Sequence, residues 1–263
     1  MKVWRCSLAL AVLAALPALA SCGGSGEIKD DGVARAAIVD QLYLLEPNPG
    51  FVAAATGLLE TAGFTVDVWQ GDEITVGFYR DLPVHDYEFI LFRVHSGLVL
   101  ELVNGEPIPL ENTFLFTAEV YTTTRYVSEQ LSERVSRVLF SDEFPEVFAV
   151  NSEFILKDSN GGYGDTVIIA MGCESHHFDD LPRAFVEKGA AAYIGWSDVV
   201  SLEYVDSTTL DLLENLLADG MPLAEGVNNT MIDLGHDPFF DAYLKLYPET
   251  SGGSRVREMA ELP

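Results

Sequence analysis

The sequence is short of positive charge. It has 15 lysine and arginine residues against 41 aspartate and glutamate residues, which gives a formal net charge of −26. Because nucleic-acid phosphates are bound by basic surfaces, this balance argues against a nucleic-acid partner. Hydrophobic residues nevertheless make up 48% of the chain. The composition is therefore that of a folded globular protein with an acidic, well-hydrated surface.

Long apolar runs are also scarce, and the one near the N-terminus is too short to span a bilayer stably. Two basic residues precede an apolar stretch at 8–20, which is the pattern of an export signal. Residues 19–22, Leu-Ala-Ser-Cys, resemble the lipobox of prokaryotic lipoproteins. This resemblance implies cleavage before Cys22 and a diacylglyceryl group on its sulfur. The alternative is an ordinary secretory signal in which Cys22 occurs by chance.

Cysteine is nearly absent from the expected mature protein. Cys6 lies in the export signal and Cys22 is assigned to the lipid. Cys173 is then the single remaining thiol, so it cannot form an internal disulfide. A lone cysteine in an exported protein is either a small buried hydrophobic residue or a reactive thiol.

Strand and helix patterns alternate along the rest of the chain. Apolar or alternating segments predict strands, and apolar residues at helical spacing predict helices. The strands are predicted at 34–45, 64–69, 87–94, 148–156, 166–171 and 191–196, and the helices at 51–62, 127–139, 181–188 and 208–218. This order predicts an α/β fold with a mostly parallel sheet and helices on both faces.

Two of the predicted strands end in reactive side chains. The strand at 87–94 is followed at once by His95, and the strand at 166–171 by Gly172 and Cys173. In open α/β sheets, functional residues gather at the carboxyl ends of the strands. A thiol and an imidazole suit nucleophilic catalysis, because the imidazole can accept the thiol proton and later protonate an amine leaving group.

These motifs resemble the caspase-like superfamily of cysteine peptidases, which includes caspases, metacaspases, legumain, clostripain, gingipains and separase. Cys173-Glu174-Ser175 is similar to the Ala-Cys-Glu-Ser stretch of legumains. The Gly-Ala pair at 189–190 and the Tyr-Ile-Gly-Trp block at 193–196 look like the segment behind the nucleophile in gingipain-like and CHAT-domain members. The resemblance implies a caspase-like three-layer sandwich.

The same resemblance implies roles for the site residues. His95 is the general acid and base, Cys173 is the nucleophile, and the backbone N–H groups of Cys173 and Gly97 form the oxyanion hole. Ser96 stands between His95 and Gly97, so Ser96 is the alternative donor. No cofactor and no metal ion are expected.

The substrate pocket has four candidate residues: Met171, Glu174, Trp196 and Asp198. In metacaspases and clostripain an Asp two residues before the nucleophile helps to select a basic side chain at P1, the residue before the scissile bond. Met171 holds that position here, so we expect weaker basic selectivity, with Asp198 as the best remaining acid. Trp196 is either a wall of the cleft or a core residue, and Asp198 is either a cleft acid or a helix N-cap.

Two metal sites compete with this interpretation. One is a zinc site after the nucleophile, drawn from Cys173, Glu174, His176, His177 and Asp179. Thiolate, imidazole and carboxylate suit zinc, but structural sites usually take their ligands from two separated segments. The other is a calcium loop at 158–165, which lacks the closing Glu of an EF-hand.

The expected organisation has four segments. Residues 1–21 are a lipoprotein signal peptide, 22–33 carry the lipidated cysteine and a flexible spacer, 34–248 form a caspase-like peptidase domain, and 249–263 form a flexible tail. The sequence thus predicts an exported cysteine endopeptidase that acts on a peptide or protein substrate. The lipid on Cys22 would hold it at the cell-envelope membrane. The alternative is a catalytically silent scaffold of the same fold that binds a peptide or protein partner.

Overall fold

The computed structural model describes residues 33–103, 106–140 and 144–256. Within these ranges the strands are β1 (Arg35–Asp40), β2 (Thr65–Gln70), β3 (Phe89–Arg93), β4 (Ser96–Val103), β5 (Glu106–Val120), β6 (Val135–Val138), β7 (Val147–Asn151), β8 (Val167–Ala170), β9 (Ala192–Trp196) and β10 (Leu244–Tyr247). The helices are α1 (Pro49–Thr61), α2 (Val76–Asp81), α3 (Val127–Leu131), α4 (Ser152–Asp158), α5 (Asp180–Glu187), α6 (Leu202–Leu213) and α7 (Leu223–Leu234). The expected signal peptide and Cys22 lie outside the described residues.

A six-stranded sheet forms the centre of the domain, in the order β10-β9-β8-β3-β1-β2. Strands β9, β8, β3, β1 and β2 run parallel, and β10 pairs antiparallel with β9 at one edge. β3 is buried at every position, because it lies inside a sheet that is covered on both faces. The predicted α/β fold with a mostly parallel sheet is confirmed.

Two hydrophobic cores lie on the two faces of this sheet. Helices α1, α6 and α7 pack on one face, and α2, α4 and α5 on the other. Successive strand residues point to opposite faces, so Leu91 of β3 joins the first core and Phe92 joins the second. Among the described residues, no helix is long and apolar enough to cross a membrane.

A second sheet was not predicted. Strands β4, β5, β7 and β6 form an antiparallel four-stranded sheet, which packs on the second core through Leu115, Phe148 and Val150. β4 begins at Ser96, directly after His95. Only Val94 and His95 therefore separate β3 from the start of a long hairpin.

Three predicted elements were wrong in part. The segment 34–45 was predicted as one strand, but β1 ends at Asp40 and a 3-10 helix spans Gln41–Leu44. The segment 127–139 was predicted as one helix, but α3 ends at Leu131 and β6 follows it. The segment 148–156 was predicted as one strand, but β7 ends at Asn151 and α4 begins there. The Asn151 side chain accepts the Phe154 N–H at 3.1 Å, which is an N-cap that starts the helix.

The C-terminal segment is also more ordered than expected. Residues 249–263 were predicted as a flexible tail, yet a 3-10 helix spans Glu249–Gly253. The Leu223 N–H at the start of α7 donates to the Ser254 carbonyl at 2.9 Å. Val256 is 1% exposed and belongs to the first core. The part of this segment that the structure describes, up to residue 256, is packed against the domain.

Candidate active site

His95 and Cys173 come together because β3 and β8 are parallel neighbours. Phe92 lies opposite Ala170 in their register, so the carboxyl ends of both strands meet at one edge of the sheet. His95 follows β3, Cys173 follows β8, and both side chains line one cavity of about 230 Å³. The two residues that the sequence singled out thus belong to the same site.

The loop of Cys173 is held through its backbone and one small side chain. The Glu174 N–H donates to a carbonyl of the loop after β9 at 2.9 Å. The buried Ser175 hydroxyl donates to the carbonyl of Ala170 at 3.1 Å and accepts the N–H of Trp196 at 3.0 Å. These bonds tie the loop to the last residues of β8 and β9, which fixes the position of the thiol.

Ser96 and Gly172 join this loop to the end of β3. The Ser96 hydroxyl donates to the carbonyl of Cys173 at 2.5 Å. A β-carbon on Gly172 would overlap the Ser96 hydroxyl and would lie 2.7 Å from the carbonyl oxygen of Val94. Only glycine fits at this position. At Gly172 the backbone of the protein itself makes this close approach.

The imidazole of His95 lies in an apolar, aromatic setting. Its backbone N–H donates to Oε1 of Gln41 at 3.0 Å, and its ring stacks on Phe140 with 3.8 Å between ring centroids. Nε2 is buried and has no hydrogen-bond partner among the described residues. Burial, and then the charge of Arg93, lower the pKa of His95 to about 4. The imidazole is therefore neutral at pH 7, with Nε2 free to exchange a proton.

The thiol of Cys173 is neutral as well. Its Sγ lies 3.5 Å from the carbonyl oxygen of Val200, and the residue is partly buried against the first core. Burial raises the pKa of the Cys173 thiol above its ordinary value, and the Glu174 carboxylate adds to the effect. A thiol in this state becomes nucleophilic when an adjacent base removes its proton. The site therefore suits general-base catalysis by a neutral imidazole.

The β4–β5 ladder decides which way the N–H groups after His95 point. Phe116 donates to the His95 carbonyl at 2.9 Å, and Gly97 lies opposite Phe114. Opposite residues in an antiparallel pair alternate between hydrogen-bonded and non-hydrogen-bonded. The Gly97 N–H, which the resemblance assigned to the oxyanion hole, therefore bonds within the sheet. The Ser96 N–H points to the other side, toward the loop of Cys173.

Glu174 supports this orientation of β4. Its carboxylate lies beside β4, with Oε2 3.9 Å from where a β-carbon on Gly97 would be, and it interacts with the Leu98 N–H, two residues beyond Ser96 and therefore on the same edge of the strand. Burial and the nearby Asp198 raise the pKa of Glu174, although the bond from Leu98 opposes them. The Glu174 carboxylate thus lies along the edge of β4 and does not line the cavity.

Of the other pocket candidates, the structure places only Met171 in the cavity wall. Trp196 is 1% exposed and lies edge-on to Tyr204, so it is a core residue and not a wall of the cleft. Asp198 is exposed, and its carboxylate accepts the Val199 N–H at 2.7 Å. It does not line the cavity either.

A buried charge network that was not predicted forms the inner wall of the cavity. Arg93 is fully buried and makes four hydrogen bonds. Its guanidinium contacts the carboxylates of Asp40 at 2.9 Å and Asp206 at 3.0 Å. It also donates to the Glu46 carbonyl at 3.0 Å. An arginine at the end of an otherwise apolar strand is the sequence signal that could have revealed this network.

Gln41 and Phe140 were missed for another reason. Gln41 holds the backbone of His95 and Phe140 covers its ring, yet both lie in segments far from it in sequence. Gln41 directly follows β1, but the predicted strand at 34–45 extended past it, and no local pattern connects Phe140 to a strand end. Contacts of this kind become visible only when the chain is folded.

The side chains considered for metal binding have other partners. His176 contacts the carbonyl of Lys245 and the carboxylate of Asp179, each at 3.2 Å. Asp158 pairs with Arg134 at 2.6 Å. Among the described residues, no three His, Cys, Asp or Glu side chains lie close enough together to hold a metal ion.

The fold and site together define an α/β protein with a cysteine and a histidine at adjacent strand ends. No protein-family model matches the chain, and no curated protein matches it. The chemistry of the site has to be inferred from its own residues.

Proposed function

We propose that this protein is a cysteine peptidase of the caspase-like class, with Cys173 as nucleophile and His95 as general base and acid. The observation that carries the proposal is the convergence of both side chains on one cavity at the carboxyl edge of a parallel sheet. The flanking helix layers and the order of the two strands support the caspase-like sandwich. A buried imidazole with an unpartnered Nε2 supports a proton-transfer role.

In the first step His95 acts as the base. Its pKa of about 4 keeps it neutral at pH 7, so it accepts the thiol proton as Sγ attacks the peptide carbonyl carbon. The carbon–sulfur bond forms and the carbonyl electron pair moves onto oxygen. The N–H groups of Cys173 and Ser96 are the donors assigned to this oxyanion.

In the following steps the imidazolium is the acid. The oxyanion collapses, the carbon–nitrogen bond breaks, and His95 gives its proton to the leaving amine. Burial and Arg93 disfavour the charged ring, which favours this transfer. Water then attacks the thioester while His95 takes one of its protons. The carbon–sulfur bond breaks, and the proton returns to the sulfur of Cys173.

A second candidate is a silent scaffold that binds a peptide in the same cavity. Phe140 stacks directly on His95, and the sulfur of Cys173 lies beside the Val200 carbonyl. Both groups are thus partly covered, and both are neutral at pH 7. This arrangement suits binding without turnover, provided that Phe140 does not move when a peptide binds.

A covalent probe separates the two candidates. Peptidyl acyloxymethyl ketones should add to Cys173, as shown by the mass of the labelled tryptic peptide. Cys173→Ala should abolish labelling and peptide hydrolysis, and His95→Ala should reduce hydrolysis by about 100-fold or more. His177→Ala is the matched control, because His177 does not line the cavity and contacts the Ser197 carbonyl through Nδ1 (2.8 Å). A protein that binds peptides but neither reacts nor hydrolyses them would be the scaffold.

We also propose export and a lipid anchor on Cys22, which lies outside the described residues. Incorporation of a labelled fatty acid should require Cys22 and disappear in Cys22→Ser. A Cys22→Ser protein that still partitions with membranes would contradict the anchor.

A further inference from the structure

We propose that the cavity beside Cys173 is the P1 subsite and accepts an uncharged, apolar side chain. This inference rests on the proposed peptidase function. One wall of the cavity is apolar. It is formed by Val200, which precedes α6, and by Leu202 and Val205 at the start of α6. Met171 completes this wall next to the nucleophile. An apolar side chain that enters here leaves water without leaving a polar group unpaired.

An acidic P1 side chain is disfavoured by the charge network. Arg93 is the only cation among the described residues that line the cavity. Its four hydrogen bonds go to the Asp40 and Asp206 carboxylates and to the Glu46 carbonyl. The three side chains together carry one net negative charge. The charge of Arg93 is therefore already balanced, and the carboxylates of Asp40 and Asp206 would repel a substrate carboxylate.

A basic P1 side chain also lacks a buried partner. Glu46 is the only acid among the described lining residues, and it is exposed. A lysine or arginine that reached deeper would meet the guanidinium of Arg93. The acids that the sequence suggested, Glu174 and Asp198, have other partners and lie outside the cavity wall. A buried cation without a partner is costly.

The volume of the cavity limits the size of the P1 side chain. The cavity measures about 230 Å³, whereas a cavity of about 150 Å³ can hold a benzene ring. Leucine, methionine and phenylalanine therefore fit at P1.

The first test is a peptide library that differs only at P1, with kcat/KM measured for each peptide. Leucine, methionine and phenylalanine should exceed arginine, lysine, aspartate and glutamate by about tenfold or more. Leu202→Trp should narrow the cavity and shift the preference from phenylalanine toward alanine. Leu210→Trp, a half-buried leucine of the same helix that does not line the cavity, should leave the profile unchanged.

Three results would overturn the subsite. They are a flat P1 profile, a preference for acidic residues, and an arginine or lysine preference that disappears in Glu46→Gln. The last result would show that the exposed acid at the mouth selects the substrate instead of the apolar wall.

A binding experiment distinguishes failure of the subsite from failure of the peptidase. Cys173→Ala protein is titrated calorimetrically with acetylated peptide amides that end in leucine or arginine. If the wild type hydrolyses no peptide, but Cys173→Ala binds the leucine peptide about tenfold more tightly and Leu202→Trp removes this difference, the subsite stands and the peptidase proposal fails. Equal binding of both peptides would overturn the subsite, whatever the activity.

Discussion

At the end of β8 the reactive residue is positioned mainly by backbone contacts, whereas at the end of β3 it is surrounded by side chains. The loop of Cys173 is tied to β8, β9 and Ser96 by hydrogen bonds to carbonyl and N–H groups. The ring of His95 instead lies against Phe140, next to the buried Arg93. One strand end thus fixes the position of the Cys173 thiol, and the other sets the protonation of the His95 imidazole.

Among the substitutions, the largest effect is expected from the charged side of the β3 end. Arg93→Met leaves Asp40 and Asp206 without their cation inside the protein, and breaking such a buried pair costs about 3–5 kcal/mol. Urea unfolding should show this loss in the free energy of unfolding. Arg137→Met is the control, because the Arg137–Glu146 pair is exposed and should change stability little. Equal effects of the two substitutions would contradict the structural role of the network.

Gly172→Ala should disrupt the close backbone contacts at the end of β8. The new methyl group meets the Ser96 hydroxyl and the Val94 carbonyl, and overpacking of this kind costs about 1–3 kcal/mol. Gly57→Ala is the matched control, since nothing lies within 4 Å of its added carbon in helix α1. That substitution should stabilise by about 0.5–1 kcal/mol. If thermal unfolding showed no difference between the two, the close approach at Gly172 would be disproved.

Phe140→Ala should change the protonation of His95 without moving the thiol. The pKa of His95, lowered to about 4 mainly by burial, should rise by about one unit as water reaches the ring. NMR titration of the ring protons measures this shift. Phe239→Ala, at a residue 79% exposed, should leave it unchanged. A pKa of His95 near 6.5 in the wild type would contradict the claim that the aromatic surroundings of the ring lower it.

The same lowered pKa predicts how stability depends on pH. Burial lowers the pKa of both His95 and His176 to about 4 in the folded protein. Between pH 6.5 and about 4 these two side chains are therefore neutral in the folded protein but protonated in the unfolded chain. Stability should therefore be complete above pH 6.5 and fall with decreasing pH, by up to about 1.4 kcal/mol per unit for each residue. Urea unfolding at stepwise pH tests the sign. A His176→Gln variant with a flatter slope would confirm that residue's share, whereas stability that rose on acidification would contradict both assignments.

The smallest effect concerns the hydroxyl that links the two strand ends. Ser96→Ala removes the bond to the Cys173 carbonyl, at a cost of about 1 kcal/mol. Alkylation of Cys173 by iodoacetamide should be slow at pH 7 and rise toward pH 9, because burial raises the pKa of the thiol. In Ser96→Ala the rate should increase a few fold, since the loop opens more easily. Ser207→Ala, on the exposed side of α6, should leave the rate as it is.

The sequence predicted the strands of the central sheet better than the elements around them. β3 and β8 are continuous apolar segments, and their pattern is visible without knowledge of their neighbours. The segment 148–156 looked like one strand because apolar residues continue past Asn151 into α4. Only the Asn151 cap marks the boundary. The hairpin at β4 and β5 was missed, because its stability depends on packing against the second core.

The amino-acid sequence by itself determined that a histidine and a cysteine each follow a buried strand, because the apolar pattern of a strand and the residues after it are local in the chain. The tertiary structure alone decided that β3 and β8 are adjacent, that Trp196 is in the core, and that Arg93 meets Asp206, 113 positions away in sequence. It also decided that the Ser96 N–H, and not that of Gly97, points toward Cys173. Local patterns record whether a residue is buried, but which segments bury it is set by the pairing and packing of the whole chain.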